Sequence, residues 1–313
     1  MNQLKRLKIL ILLPEDHSFG GTPLKFRYYK NISINNVSLF FLDKNKILLL
    51  KYIFSNKIDH VHCAFKKPLF FSILFKFIFP FVSFTHHYVN TDKLDFTEYL
   101  LTKIAIILKF KFICPTNAIA IAKEVKSYSV IYNGAKKINK NNNNRDPNMI
   151  LSVGGLNNYK NHINLIKALK YLDSNLKLYI VGDGPLRMTL KTLINKLNLN
   201  SRVTLVGYAD PFKYYNKCSL YIHPSVSEGF GISTVEAVLS NANICLSDIE
   251  THKELYGNFN VNFFNPHDPC NIAKQINISI NKKLDSNLFE FAKNNLTINS
   301  FSQKLDTYAE NES

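Results

Sequence analysis

The stretch LYIHPSVSEGFGISTVEAVLS, Leu220 to Ser240, decides how the chain is folded. It opens on a short apolar run that reads as a strand ending near Pro224. A loop with two glycines, Gly229 and Gly231, comes next. From Ile232 onward the spacing predicts an amphipathic helix. Buried strand, glycine turn and helix, in that order, form the repeating unit of a parallel sheet covered on both faces. Two carboxylates with seven residues between them flank the turn: Glu228 before it and Glu236 about one turn into the helix. Either they serve chemistry at the strand end, or they complement the helix dipole and nothing more.

The same unit repeats on both sides. The second half offers MILSVGG, LKLYIVGDG, RVTLVGY, NICLSD and VNFFN as further strands, and the first half LKILILLP, VSLFFLD, HVHCAF, FVSFTHH, FICPT and SVIYNG. Helix-length segments separate most of them. The polar run NKNNNNRDPN, residues 139–148, reads as a linker. The fold class that follows is α/β: two doubly wound Rossmann-like domains, residues 1–138 and 149–313, facing a cleft. Apolar residues at helical spacing in the tail from Leu284 predict helices, the last of which is placed back on the first domain.

At 46% hydrophobic and 20% charged residues, the 313-residue chain has material for real cores. Its five cysteines are far apart and show no zinc spacing, which points to structural thiols in a reducing compartment. The opening MNQLKRLKILILLPED lacks a cleavage site and reads as a first strand, not a signal peptide. The apolar tract Pro68 to Phe84 is interrupted by Lys76 and Pro80; it reads as a buried helix followed by a buried strand. The net charge of +16 is uneven: residues 1–146 carry 23 Lys and Arg against 9 Asp and Glu, and residues 147–313 carry 16 against 14. A basic first half suits an anionic partner, either nucleic acid or an anionic membrane surface, or reflects a lysine-rich composition alone.

Several residues suit phosphate chemistry. Gly229 and Gly231 let backbone approach a ligand closely, and amides at a helix start favour an anion. Lys160, just before the next helix of VGGLNNYKNHINLIKAL, offers a point charge for a diphosphate. With YIVGDGP and LVGY, four strand-to-turn junctions build a rim that can cradle a nucleotide.

These residues carry a resemblance. HPSVSEGFGISTVEAV resembles the glutamate–seven residues–glutamate segment of the retaining glycosyltransferases of GT-B architecture, often called family 4, the glycosyl transferases group 1. VGGLNNYKN, YIVGDGPLR and RVTLVGYAD are similar to three further segments of that family, in the right order, from Ile150 to about Asp248. The first half matches more weakly, through FGGTP, THH and VIYNG. The resemblance implies a nucleotide-sugar donor, UDP- or GDP-linked, and a glycan or lipid-linked acceptor. It implies that Glu236 bonds the ribose hydroxyls and Glu228 meets the transferred sugar. The amides around Gly229, Phe230 and Gly231 would hold sugar and diphosphate, Lys160 would neutralise the leaving group, and Gly207 and Tyr208 would lie near the base. Gly20 and Gly21 would let the first domain approach the phosphates, and either His86 or His87 would reach the sugar. Neither metal nor other cofactor is expected.

One position departs from the family. Gly155 stands where an arginine usually helps the lysine, leaving Arg187 and Arg202 as candidate replacements. The reading is an enzyme of bacterial surface polysaccharide synthesis, cytoplasmic and peripheral at the inner face of the membrane. Its rivals are a non-catalytic donor-binding protein and a UDP-GlcNAc 2-epimerase-like enzyme. Nucleic-acid binding is set aside, because neither a helix-turn-helix nor aromatic-interleaved basic patches are present.

Overall fold

The structure is a computed structural model and describes residues 6–13, 21–42, 46–79, 83–87, 96–136 and 145–312. The chain divides into two compact units, Met1–Gly134 with Asn295–Ser313, and Ala135–Asn294.

Unit 1 alternates strand and helix: β1 (Lys8–Leu13), α1 (Gly21–Ile32), β2 (Asn36–Phe41), α2 (Lys46–Asn56), β3 (His60–Ala64), α3 (Lys66–Ile78), β4 (Ser83–His87), α4 (Phe96–Ile107), β5 (Lys111–Cys114), α5 (Asn117–Ala122) and β6 (Ser129–Val130). The strands form one parallel sheet in the order β2-β1-β3-β4-β5-β6. Strand β1 shows why its sequence is apolar throughout. Leu10 and Leu12 enter a core with α3 and α4, while Ile9, Ile11 and Leu13 enter another with α1. Alternate side chains thus face opposite layers, and both layers exclude water.

Unit 2 contains β7 (Asp146–Val153), α6 (His162–Ala168), β8 (Lys177–Val181), α7 (Arg187–Lys196), β9 (Val203–Gly207), α8 (Phe212–Tyr215), β10 (Cys218–His223), α9 (Ile232–Leu239), β11 (Asn243–Ser247), α10 (Glu250–Tyr256), β12 (Asn262–Phe264), α11 (Pro269–Ser279) and α12 (Ser286–Asn295). A single 3-10 turn, Asn158–Lys160, precedes α6. The parallel order is β12-β11-β10-β7-β8-β9, with β10 and β7 central. Strand β7 begins at Asp146, two residues before the expected end of the linker. The cause is Arg145, whose guanidinium donates to the carbonyls of Tyr215 (2.8 Å), Cys218 (2.7 Å) and Ser240 (2.6 Å) and pins the chain to the sheet.

The last helix, α13 (Ile298–Glu312), belongs to unit 1. Its buried Asp306 accepts from the Tyr29 hydroxyl (2.7 Å), Ser33 Oγ (2.5 Å), the Ile34 amide (3.2 Å) and Asn35 Nδ2 (3.0 Å). Phe301 beside it meets the rings of Phe26 and Tyr29 edge-on. The tract at Pro68 forms α3 and leads into β4, as expected, but α3 is not fully buried. Phe70, Leu74, Phe77 and Ile78 are exposed along one side, because only the opposite side reaches the sheet. Among the described residues no helix is long and apolar enough to cross a membrane.

Candidate active site

Strand β10 delivers the centre of the site. Pairing with β11 and β7 buries it on both faces, so His223 at its carboxyl end is held in the core at 1% exposure. Past His223 the chain turns. Asn161, in the left-handed region at φ 55°, donates from Nδ2 to the carbonyls of Pro224 (3.0 Å) and Pro266 (2.7 Å). The Val226 amide donates to the Tyr159 carbonyl (2.8 Å). These bonds tie the β10 loop to the turn carrying Lys160, which explains how residues 68 positions apart meet.

Glu228 lies at that junction with its side chain 9% exposed. One oxygen, Oε1, receives Lys160 Nζ, His223 Nε2 (2.7 Å) and Ser225 Oγ (2.7 Å). Its carbonyl accepts from Thr251 Oγ1 (2.7 Å). Burial alone would raise the carboxyl pKa, but His223 and Lys160 overcome it and hold the group well below the usual carboxylate range. A carboxylate only accepts, so the hydrogen on His223 Nε2 points at Glu228. Behind it, His223 Nδ1 accepts from the Tyr221 hydroxyl at 2.6 Å, and the oxygen of that hydroxyl lies 2.9 Å from Ser233 Oγ of α9. The result is an ionised carboxylate fixed by a lysine and a buried histidine.

Glycine is needed at Gly231, which opens α9 at φ 78° and ψ 58°. Beside it stands His252 of α10, fully buried, its Nε2 3.9 Å from where a Gly231 side chain would begin. Its Nδ1 donates to the Ser247 carbonyl at 2.9 Å. Burial lowers its pKa to about 3. The ring is therefore neutral, and Nε2 is a bare acceptor that no hydrogen bond satisfies. It shares this with several other buried polar atoms among the described residues, and is set apart by its place beside Gly231 at the start of α9.

Glu236 follows one turn into α9 and accepts from the Tyr215 hydroxyl at Oε2 (3.1 Å). Burial, chiefly, and the neighbouring Asp210 push its pKa up to about 7 against the effect of that bond. Gly207 ends β9 at φ 83°, and Tyr208 projects outward at 82% exposure. Phe230 is buried, which leaves its backbone as the part open to a ligand. The β7 and β8 ends approach at backbone contact: a Cβ on Gly182, at φ 136°, would fall 2.1 Å from the Gly154 carbonyl oxygen.

The two arginines separate cleanly. Arg202 donates to the carbonyls of Leu169, Leu172, Asp173 and Leu176, at the amino ends of the strands, and is a structural clamp. Arg187 is at the carboxyl ends, bound to Asp183 (3.3 Å) and the Leu205 carbonyl (3.3 Å) and next to Gly207. Of the two replacements for the cation missing at Gly155, Arg187 alone sits on the correct edge.

His86 does not fill the role expected of it. It is 1% exposed in β4, with Nδ1 3.5 Å from Cys63 Sγ and its ring edge-on to Phe112. Burial, with Lys123 nearby, lowers its pKa to about 3. The parity of the strand turns this side chain into the unit 1 core, which removes it from the candidate catalytic residues. The side chain of His87 and residue Gly20 lie outside the described residues; Gly21 begins α1. His223, Tyr221, Ser225, Thr251 and His252 were not singled out from sequence. His223 had a signal, five residues before Glu228, whereas His252 had none. Among the described residues no group of three His, Cys, Asp or Glu side chains is placed to hold a metal ion.

The profile of a known family, described as glycosyl transferases group 1, matches residues 134–295. The N-acetylgalactosamine-N,N'-diacetylbacillosaminyl-diphospho-undecaprenol 4-alpha-N-acetylgalactosaminyltransferase of Campylobacter jejuni is 42% identical over 34% of this chain and 30% of its own. The O-antigen chain mannosyltransferase RfbU of Salmonella typhimurium is 33% identical over 45% of this chain and 40% of its own. The chain thus spans less than half the length of these two curated relatives. HepE of Anabaena, solved with UDP and glucose, superposes with a TM-score of 0.78 at 20% identity, over 98% of this chain and 100% of that one. The likeness establishes the fold as GT-B, the class expected from sequence.

Proposed function

The chain belongs to the glycosyl transferases group 1 family, and we propose that it is a retaining glycosyltransferase of bacterial surface polysaccharide synthesis. It moves a sugar from a UDP- or GDP-linked donor to a hydroxyl of a glycan or lipid-linked acceptor. Unit 2 takes the donor and unit 1 the acceptor. The names of the relatives support the acceptor class, since one acts on a diphospho-undecaprenol sugar and another on an O-antigen chain. HepE, bound to UDP and glucose, supports the donor class. In this reading the protein is cytoplasmic and peripheral at the inner membrane face, as its basic first half suggests.

The observation that carries the reading is the constellation at the β10 end: Glu228 held ionised beside Lys160, the left-handed Gly231 opening α9, and the unsatisfied His252 Nε2. Glu236 takes the ribose hydroxyls, and the α9 amides take the diphosphate. Lys160 neutralises the charge that grows as the nucleoside diphosphate departs, a contribution that is effective because it is in place beforehand. Glu228 and the neutral His252 accept from sugar hydroxyls. The acceptor hydroxyl attacks the anomeric carbon from the face the diphosphate leaves, and its proton passes to the departing phosphate. No resident metal or cofactor takes part in this reading.

The test is a thermal-shift screen with UDP-, GDP- and ADP-sugars, followed by transfer assays with lipid-linked acceptors in the presence of EDTA. Stabilisation by one donor and transfer to an acceptor is the expected result. Stabilisation without transfer or hydrolysis assigns a binding protein instead, for which Gly155 is the motive. Turnover of UDP-GlcNAc without acceptor assigns an epimerase.

A further inference from the structure

We infer that the carboxyl-terminal ends of α3 and α4 are the seat by which the protein docks on an anionic lipid bilayer. The inference rests on the peripheral reading above and gives it a location. Helices α3 and α4 cover the same face of the first sheet, where Leu69 and Ile73 share a core with Leu101 and Ala105. Each follows a parallel strand and returns antiparallel to it, so their carboxyl ends lie together at the amino edge of the sheet. That edge is opposite the rim at which open α/β sheets bind ligands.

The outer faces of these helix ends are apolar. Phe77 is 69% exposed, Ile78 50%, Ile106 46% and Ile107 77%, with Leu74 and Ile104 exposed about one turn earlier. On α3 the exposed positions 67, 70, 74, 77 and 78 fall on one stripe of the helix. Large apolar side chains grouped in this way mark an interaction surface.

Charge identifies the partner. Exposed Lys103 stands among these residues on α4, its ammonium 5.1 Å from the Tyr99 ring centre. A cavity of about 720 Å³ opens beside Ile106 and Ile107, and four lysines line it, Lys103, Lys109, Lys111 and Lys126. The carboxylates in the same wall are Glu124 and Glu312, and Lys111 already pairs with Glu312 at 3.0 Å. Apolar groups that can enter the headgroup boundary thus stand among ammonium groups at the height of the phosphates. This is the chemistry of an anionic bilayer surface, met by a chain whose first 146 residues carry the excess of basic charge.

The experiment is co-sedimentation with vesicles of phosphatidylcholine alone and of phosphatidylcholine mixed with phosphatidylglycerol. The whole chain is compared with the Phe77→Asp/Ile107→Asp and Lys103→Gln/Lys109→Gln/Lys126→Gln variants. The unaltered protein is expected to pellet with the anionic vesicles only. Each lysine removed should weaken binding about fivefold, and the aspartate pair more than tenfold. Circular dichroism and Tm should stay unchanged, since all five side chains are exposed. If the aspartate variant binds as tightly as the parent, the seat is elsewhere and the peripheral reading survives. If the parent binds neither vesicle, both fall. If the aspartate variant instead abolishes a dimer seen by ultracentrifugation, with vesicle binding unchanged, the face joins two copies and the inference is overturned.

Discussion

The raised pKa of Glu236 makes donor binding sensitive to pH in a calculable way. With the carboxyl titrating at about 7 in the free protein, only its ionised form can accept two ribose hydroxyls. Binding must then release a proton, so affinity rises with pH. From about pH 6 to about pH 8 the ionised fraction grows from roughly one in eleven to ten in eleven, so affinity for a nucleotide sugar should rise about tenfold and then level off. The ligand must be the sugar-linked diphosphate, because a free terminal phosphate titrates near pH 6 itself. Glu228 stays ionised throughout this window and His252 neutral, so neither adds to the slope. Calorimetry at both pH values, in buffers of different ionisation enthalpy, reads the affinity and the proton release together. The Glu236→Gln variant should bind more weakly at high pH and lose the slope. A flat wild-type profile, or one that the variant reproduces, would refute the placement of Glu236 at the ribose.

Three further outcomes follow from the geometry. Glu228→Gln leaves Lys160 without its buried counter-ion, at a cost of about 3 kcal/mol, so the melting transition should fall by roughly 5–10 °C. Donor turnover should drop at least about tenfold, and unchanged turnover would take Glu228 out of the mechanism. Gly182→Ala forces a methyl against the Gly154 carbonyl at a backbone angle closed to side chains. Urea denaturation should show a loss of about 2 kcal/mol or more, whereas an intact midpoint would mean that the β7 and β8 ends move apart freely. Asp306→Ala strands the Tyr29 hydroxyl and Asn35 amide in the core, and should cost about 3 kcal/mol by the same measurement.

Much of the fold was legible because its strands are buried on both faces. Runs such as KILILL and KLYIV are apolar at every position after the first, and that signal survives in a single sequence. The glycine turn and the two glutamates were legible for a related reason, since few contexts other than a ligand site place such residues at a strand end. What failed depended on which way a side chain turns. In the pair His86–His87, one histidine must face the core, and the sequence carries no mark of which. The exposed side of α3 was hidden because PLFFSILFKFIF, with Lys76 its one charge, is apolar on nearly every side, so helical periodicity does not say which stripe reaches the sheet. His252 escaped because its place beside Gly231, 21 positions away, exists only in the folded chain.

Because Asp306 and Phe301 sit on α13, the first unit of the fold is finished by a helix that leaves the ribosome after the whole of the second. Synthesis from the amino end therefore does not complete the units in the order in which they are written. The nascent amino-terminal sheet must wait, with the Tyr29 surface of α1 uncovered, while some 160 intervening residues are made and close their own core. A truncation just before α13 would accordingly damage the distant half of the molecule and spare the neighbouring one.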